Sequence, residues 1–517
     1  MNVLFVTQSD TITLFNDLRE GISSDIALEN VGFFLADSWM YSKFIAQKPD
    51  FEKRGYTLLK EWEIQWKAQD MVIDMNKLKH YEQEIGDPYL LWSLVNDRRV
   101  FMGKYCKYKQ SYTPRFSWKQ MLQLLQTSLI EIDGLLTKIK PDYIISYIPA
   151  VWMSYLIFLF AKARKIPYLC YKFTKIGNHI HLSNTIYQES SRIMEKYYQV
   201  SIPEDKNKRE IVFAKKYILD AQEKKALYEG ILLHRKRKVS FHAIKSFINM
   251  FLEELQYRVS KSRYDNQFPG VLLPWLFQNM IQPIRAKYSD FRLKDNYFSF
   301  EKLPETDYIF FPLHTEPELS LTLYGKPYQN QIELIRTIAL NLPIHMFLLV
   351  KDHPRSLGMR DLSYYKKILE IPNVCLIHPG IDSNDLVKHA VAVGIISGFI
   401  GFEAVLQKKP VFVFGDCLFS LLPDCMVKKI NNVNNVARDI ESLLNTYQYD
   451  EEALIRFIAA VVSESVSVNW YSVLMKRGGR FSKLSLQEED ISIQYEKELN
   501  RLVSYTIHKI KENTYAV

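Results

Sequence analysis

A chain of 517 residues is long enough for two or three domains with large cores. A hydrophobic share of 47% with 24% charged residues excludes a disordered or low-complexity chain. The net charge of +9 suits a phosphate-bearing partner or an anionic membrane surface without demanding either.

In chain order, Val3–Thr7 reads as a first strand ending on Gln8-Ser9-Asp10. It is not a signal peptide, because no basic segment precedes its short apolar run. A second strand is expected over 32–36. Residues 117–138 place Met121, Leu124, Leu125, Leu129, Ile132 and Leu136 at helical spacing. Lys140-Pro141-Asp142 then leads to a strand over 143–147, a helix over 151–164, and a strand over 168–171 after Ile166-Pro167. This is one βαβ system. The apolar run 147–161 is interrupted by Pro149 and Ser154 and falls short of the ~20 residues of a membrane span.

From about 206 to 264 the chain turns to long, charged helices with the basic run His234-Arg235-Lys236-Arg237-Lys238. The apolar, aromatic stretch from Pro269 to Phe277 follows. A basic cluster beside an aromatic one can rest on an anionic membrane surface. The competing reading, a solvated charged face with aromatics packed between domains, is favoured by ordinary surface composition.

The stretch 308–415 organises the rest. Apolar strands over 308–311, 346–350, 374–377, 392–396 and 411–414 alternate with amphipathic helices near 328–341, 361–370, 382–390 and 399–407. That alternation predicts an α/β fold with a parallel sheet covered on both faces. Helices are expected again over 432–446, 451–465 and 488–512, with the basic loop Lys476-Arg477-Gly478-Gly479-Arg480 between the last two. The expected division is 1–205 for an N-terminal α/β domain, 206–300 for a helical insertion or linker, 301–447 for a second, nucleotide-binding α/β domain, and 448–517 for a C-terminal helical segment.

Parallel sheets bind ligands beyond their C-terminal strand ends, and here those ends are polar. Lys351-Asp352-His353-Pro354-Arg355-Ser356 joins two permanent cations to a histidine held extended by the following proline. That set suits a phosphate. Asp352 is a candidate to orient His353 or to bond a ribose or base. In Ser397–Ala404, Ser397, Gly398 and Gly401 allow a tight turn into a helix whose free N–H groups attract anions. Glu403 in its second turn can accept from ribose hydroxyls. The other reading of these glycines is close helix–sheet packing. His314, Glu316 and Glu318 stand at the entry to this domain, as sugar contacts or as solvated charges.

The runs FFPLHTEPE, VKDHP, PNVCLIHP, IISGFIGFEA and KKPVFVFG, with Tyr328 to Gln331, resemble the capsule polysaccharide biosynthesis family, which includes bacterial Kdo transferases. The likeness covers about 306–416, and more loosely Asn96-Asp97-Arg98 and the 140–167 unit. It implies GT-B architecture, two Rossmann-like domains facing a cleft, with the second holding a nucleotide-sugar donor, often CMP-linked. His353-Pro354 and Ser397-Gly398 map onto the groups that hold the CMP phosphate in similar enzymes. The chain departs from that pattern in two places, with Asp352 where relatives show Glu and Ser397-Gly398-Phe399 in place of a Thr-Gly-Thr-like turn. No metal and no cofactor beyond the donor are implied.

The acceptor side needs a base and a clamp for a sugar carboxylate. Asp10 and Asp97 are the candidate bases or nucleophiles, and Arg98 the clamp. The expected protein is a cytoplasmic glycosyltransferase, soluble or peripheral at the inner face of the membrane. It would pass Kdo or a related acidic sugar to a surface polysaccharide or glycolipid. The rivals are a UDP- or CDP-dependent transferase of the same fold and a non-catalytic capsule-assembly scaffold. Dispersed basic residues without a nucleic-acid motif argue against DNA or RNA as a partner. Scattered Cys106, Cys170, Cys375, Cys417 and Cys425, with no CxxC pair, favour a reducing compartment and argue against zinc.

Overall fold

The computed structural model describes residues 1–8, 10–97, 100–101, 113–202, 207–223, 251–255, 259, 272–299, 307–316, 318–477 and 488–514. Arg98, the basic run 234–238 and the first three residues, 269–271, of the apolar segment 269–277 lie outside them.

The first sheet is built on β1 (Val3–Thr7), every residue of which is buried. On one side β1 pairs in parallel with β2 (Val31–Leu35), and β2 with β3 (Thr57–Lys60). On the other it pairs with β4 (Tyr143–Ser146), which pairs with β5 (Tyr168–Phe173). A hairpin then adds β6 (His179–Ser183) antiparallel to β5. Covered on both faces, these strands read as continuous apolar runs. The long helix Trp118–Ile139 packs beneath them, started by a capping box in which Ser117 and Gln120 satisfy each other's backbone donors.

The second sheet is parallel throughout. Its order is β13 (Val427–Lys429), β12 (Val411–Val413), β11 (Ala392–Ile395), β8 (Tyr308–Pro312), β9 (Phe347–Lys351), β10 (Val374–Ile377) and β7 (Tyr297–Phe298). The five expected strands and four expected helices of 308–415 are present within a residue or two, apart from the helix expected at 328, which starts at Gln331 behind the short turn Lys326–Tyr328. The short β3, β6, β7 and β13 were not anticipated. In both sheets the chain moves outward on one side of the central strand, then returns to its other flank. The reversals lie between β1 and β4 and between β8 and β11, where crevices open at strand ends.

The linear division of the chain is not the spatial one. Helices Ser191–Gln199 and Arg209–Gln222 contribute Ile193, Tyr197, Ile211 and Tyr217 to the core of the second sheet. Conversely, β14 (Val466–Ser467) pairs antiparallel with β6, and the final helix Glu488–Thr514 lies on the helix Thr11–Asp25. There Tyr495 donates to Asp17 at 2.8 Å and Tyr143 to the Ile510 carbonyl at 3.1 Å. A Cβ on Gly21 would stand 2.5 Å from Val503, so a side chain there would push the two helices apart. The chain's end therefore closes back on its beginning.

A lysine ties the two halves together. Lys326, just after β8, reaches into the first domain and donates to the Tyr155 and Tyr187 hydroxyls at 2.7 and 3.2 Å. Its ammonium also stands over the rings of Trp92, Tyr155 and Tyr187.

Candidate active site

The C-terminal strand ends of the two sheets meet. The β5–β6 turn of the first domain comes against the loops after β11 and β12, enclosing a cleft of about 550 Å³ that opens to solvent. Thr174, Lys175 and Ile176 form one wall; Ser397, Gly398, Phe399, Asp416 and Cys417 form the other.

Its centre is the reversal between β8 and β11. The Ser397 N–H donates to Nε2 of His314 across 3.4 Å. An imidazole accepting at Nε2 is neutral with its proton on Nδ1, and Nδ1 lies 4.0 Å from Glu318. Burial and the nearby Lys175, His353 and Arg360 charges push the His314 pKa down to about 3, in keeping with that neutral form. Gly398 has φ +146°, and a Cβ there would stand 3.2 Å from the His314 ring, so glycine fits both the backbone and the space.

Gly398 is also the N-cap of the helix Phe399–Leu406, and no side chain caps that end. The neighbouring Ser397 does not supply a cap: its hydroxyl donates to the Asp416 carbonyl at 3.2 Å instead. The first N–H groups of this helix are thus left to the cleft. Gly401 proves to be a packing glycine. A Cβ on it would lie 2.5 Å from Ile395 and 2.9 Å from Phe419, so it sets the helix close on the sheet and does not face the cleft.

Lys175 crosses from the first domain to this helix. Its ammonium lies 5.9 Å from the Phe399 ring centre and has no hydrogen-bond partner among the described residues. Its backbone is left-handed, φ +61°, a strained state for a residue with a side chain. Burial pushes its pKa down, while Glu318, Cys417 and Glu403 oppose that shift. Glu403 is i+4 from Phe399 and so shares its helix face, one turn behind the residues Ser397, Gly398 and Phe399 that line the cleft. Burial raises its pKa to about 7, against the pull of Lys175 and with the push of Asp382. Nothing in the sequence signalled Lys175; only the hairpin brings it over the rim.

Other sequence candidates fall elsewhere. Glu316 is not a sugar contact: it is buried, bonded by Gln331 and at 2.9 Å by Tyr364, and lies 3.4 Å from Arg360. Asp352 is buried and its carboxylate is taken up within the fold. It accepts from Arg360 at 3.0 Å and Tyr365 at 2.7 Å, and its other oxygen takes the His353 N–H. Two carboxylates and a guanidinium 1% exposed thus form an internal ion cluster that fixes the rim loops. Lys351 turns away to donate to Ser383 at 2.7 Å. His353 is exposed on the same rim, one strand beyond His314, and does not line the cleft. Pro354 opens a single 3-10 turn to Ser356; the Arg355 side chain lies outside the description. Of the expected cradle, Lys351 is thus engaged with Ser383 and His353 stands outside the cleft, which lies toward β11 where the sheet reverses.

In the first domain Asp97 is fully buried and accepts from the Trp152 N–H at 3.4 Å, at the start of the helix Trp152–Ala163. That capping place closes it off from any acceptor. Asp10, beyond β1, is held by Arg477 through two nitrogens of its guanidinium. The Arg477 N–H bonds the Tyr471 carbonyl, and the Tyr471 ring stacks on Phe173, which lines the cleft. Among the described residues no group of three or more His, Cys, Asp or Glu is arranged to hold a metal. None of their helices is long and apolar enough to cross a membrane.

Two doubly wound sheets whose C-terminal ends enclose a cleft define a GT-B architecture. Residues 233–423 match the family model described as capsule polysaccharide biosynthesis protein, and this stretch carries that family's likeness. Among solved structures, the chain is similar to the KpsC β-Kdo 2,4 transferase of Thermosulfurimonas dismutans. Identity is 13%, with 63% of this chain and 81% of that one covered and a TM-score of 0.35. The β-Kdo 2,7 transferase of the same organism's KpsC gives 12%, 73% and 89%, and 0.31. A UDP-GlcNAc 2-epimerase from Neisseria meningitidis gives 13%, 90% and 99%, and 0.24. No curated protein sequence matches.

Proposed function

We propose that this chain is a glycosyltransferase of capsule polysaccharide synthesis that uses a nucleotide sugar, CMP-linked, as donor. One observation carries the reading. A lysine from one domain, without a hydrogen-bond partner among the described residues, is held against the uncapped start of a helix in the other, across a cleft at the sheet reversal. A leaving phosphate placed there meets helix N–H groups, the Ser397-Gly398 turn and the Lys175 ammonium. His314 positions the turn, and Glu403 on the same helix face takes the ribose hydroxyls.

In the transfer, an acceptor hydroxyl oxygen bonds to the anomeric carbon as the bond from that carbon to the phosphate oxygen breaks. CMP leaves with the electron pair, and the acceptor's proton passes to a carboxylate. Asp10 is the carboxylate proposed for this step, since Arg477 holds it at the first domain's strand ends. Arg98, outside the described residues, is the proposed clamp for the carboxylate of Kdo or a related acidic sugar. The acceptor is a growing polysaccharide or glycolipid. The Lys175 ammonium and the helix N–H groups around the phosphate supply the positive charge that a metal supplies elsewhere.

Thermal shift with CMP, UDP and CDP tests the reading. Stabilisation by CMP above the other two, lost in Lys175→Ala, is expected. A preference for UDP overturns the CMP assignment, and no response to any nucleotide overturns the transferase reading.

A further inference from the structure

Large exposed apolar side chains crowd onto the helix Gln282–Leu293 and its approach. Ile281, Ile284, Tyr288 and Phe291 fall at spacings of three, four and three, which sets them along one face. Ile284 is 68% exposed and Phe291 67%. The opposite face is seated: Ser289 and Leu293 are buried, and a Cβ on Gly358 would strike the Gln282 carbonyl at 2.3 Å. The helix is thus fixed to the second domain with its apolar stripe outward. Phe251, Leu252 and Leu255 are exposed as well, on a segment tied to the chain ahead of this helix where the Leu272 N–H donates to Glu254 at 3.5 Å.

The stripe has cationic borders. Lys287 and Lys294 lie along one edge and Arg292 along the other, all exposed. Arg285, on the Arg292 side, is turned to Asp361 at 2.6 Å. Within the helix the one acidic side chain, Asp290, lies away from the stripe, near His378 and Tyr297, and the exposed Asp295 beside Lys294 sets one negative charge against the three cations.

We propose that this face docks the protein onto an anionic lipid bilayer. An apolar strip between rows of cations matches the layering of such an interface: side chains enter the acyl boundary while ammonium and guanidinium groups meet lipid phosphates. A second copy of the chain is a poorer occupant, because two-fold pairing sets cationic borders against each other. The helix also rests on the loop leaving β9. Gln282 donates to the Leu357 carbonyl at 3.0 Å and Arg285 to that of Arg360 at 3.2 Å. The proposal stands on the surface alone and does not rest on the transferase reading.

The test is co-sedimentation of the full chain with vesicles of phosphatidylglycerol and phosphatidylcholine, against phosphatidylcholine alone. Binding to the anionic vesicles, released by salt, is expected. Ile284→Glu with Phe291→Glu should weaken it at least tenfold, and Lys287→Glu with Lys294→Glu should abolish the preference for anionic lipid. Unchanged melting temperatures in both variants establish that the fold is intact. Binding equal to wild type in both variants overturns the proposal. So does absence of vesicle binding by the wild type, whether or not light scattering finds a dimer that Ile284→Glu disrupts.

Discussion

The backbone N–H of Ser397 and Nε2 of His314 are 3.4 Å apart, and their hydrogen bond spans the two strand ends between which the second sheet reverses. It links a neutral imidazole to the turn that begins an uncapped helix. His314→Ala should leave the fold intact and weaken nucleotide binding about five- to tenfold, the worth of one hydrogen bond of ~1 kcal/mol. Its imidazole, with a pKa near 3, stays uncharged between pH 5 and 9, so it adds no titration to nucleotide affinity there. Isothermal titration across that range checks both statements.

Lys175 brings its ammonium to 5.9 Å from the ring centre of Phe399, the first residue of that helix. Lys175→Ala should cost ~1.5–3 kcal/mol of nucleotide affinity, roughly 10- to 150-fold, with little change in melting temperature. Raising salt should weaken wild-type binding more than that of the variant. Equal nucleotide affinity in the two proteins would remove Lys175 from the site.

Glu403 makes stability depend on pH in a stated direction. Its pKa rises from 4.5 to about 7 on folding. Below pH 4.5 the carboxyl is neutral in both states and costs nothing. As pH climbs through 4.5 to 7, the unfolded chain ionises first, so stability is lost across that window. Glu403→Gln should flatten this loss, by on the order of 2 kcal/mol once partial solvation is allowed for. Urea unfolding at pH 5 and pH 8 reads the difference.

Arg360 is the cation of the buried cluster with Asp352 and Glu316. Removing it leaves two carboxylates buried without their counter-ion, so Arg360→Met should destabilise by roughly 3–5 kcal/mol. Arg360→Lys should rescue little, because one ammonium cannot span both carboxylates and the His314 carbonyl as the planar fork does. Denaturant midpoints of the three proteins settle the order.

Asp97 and Asp10 should separate cleanly. Asp97→Ala removes a buried partner of a helix-start N–H and should cost ~1–3 kcal/mol of stability while nucleotide affinity is kept. Asp10→Asn should preserve stability and nucleotide binding and abolish sugar transfer, read as transfer to an acceptor glycan. Retained transfer in Asp10→Asn rules it out as the base.

Much of this protein was legible in its residues alone. The β8–β12 strands are continuous apolar runs between polar ends, and a parallel sheet buried on both faces requires that pattern. The Ser397-Gly398 turn was readable because a strained, crowded corner demands glycine. The amphipathic helix 118–139 announced itself by its period. Folding in space decided the rest. Whether Asp352 and Glu316 meet a ligand or a buried guanidinium depends on Arg360, distant in sequence from Glu316 but adjacent in the core. The final helix joins the first domain because its apolar stripe meets Leu18 and Ile22, a match no local pattern specifies. Lys175 reaches the cleft only through the β5–β6 hairpin. Local sequence sets periodicity and backbone strain, which are short-range; the partner of each charge is fixed by long-range packing, and that the chain reveals only when folded.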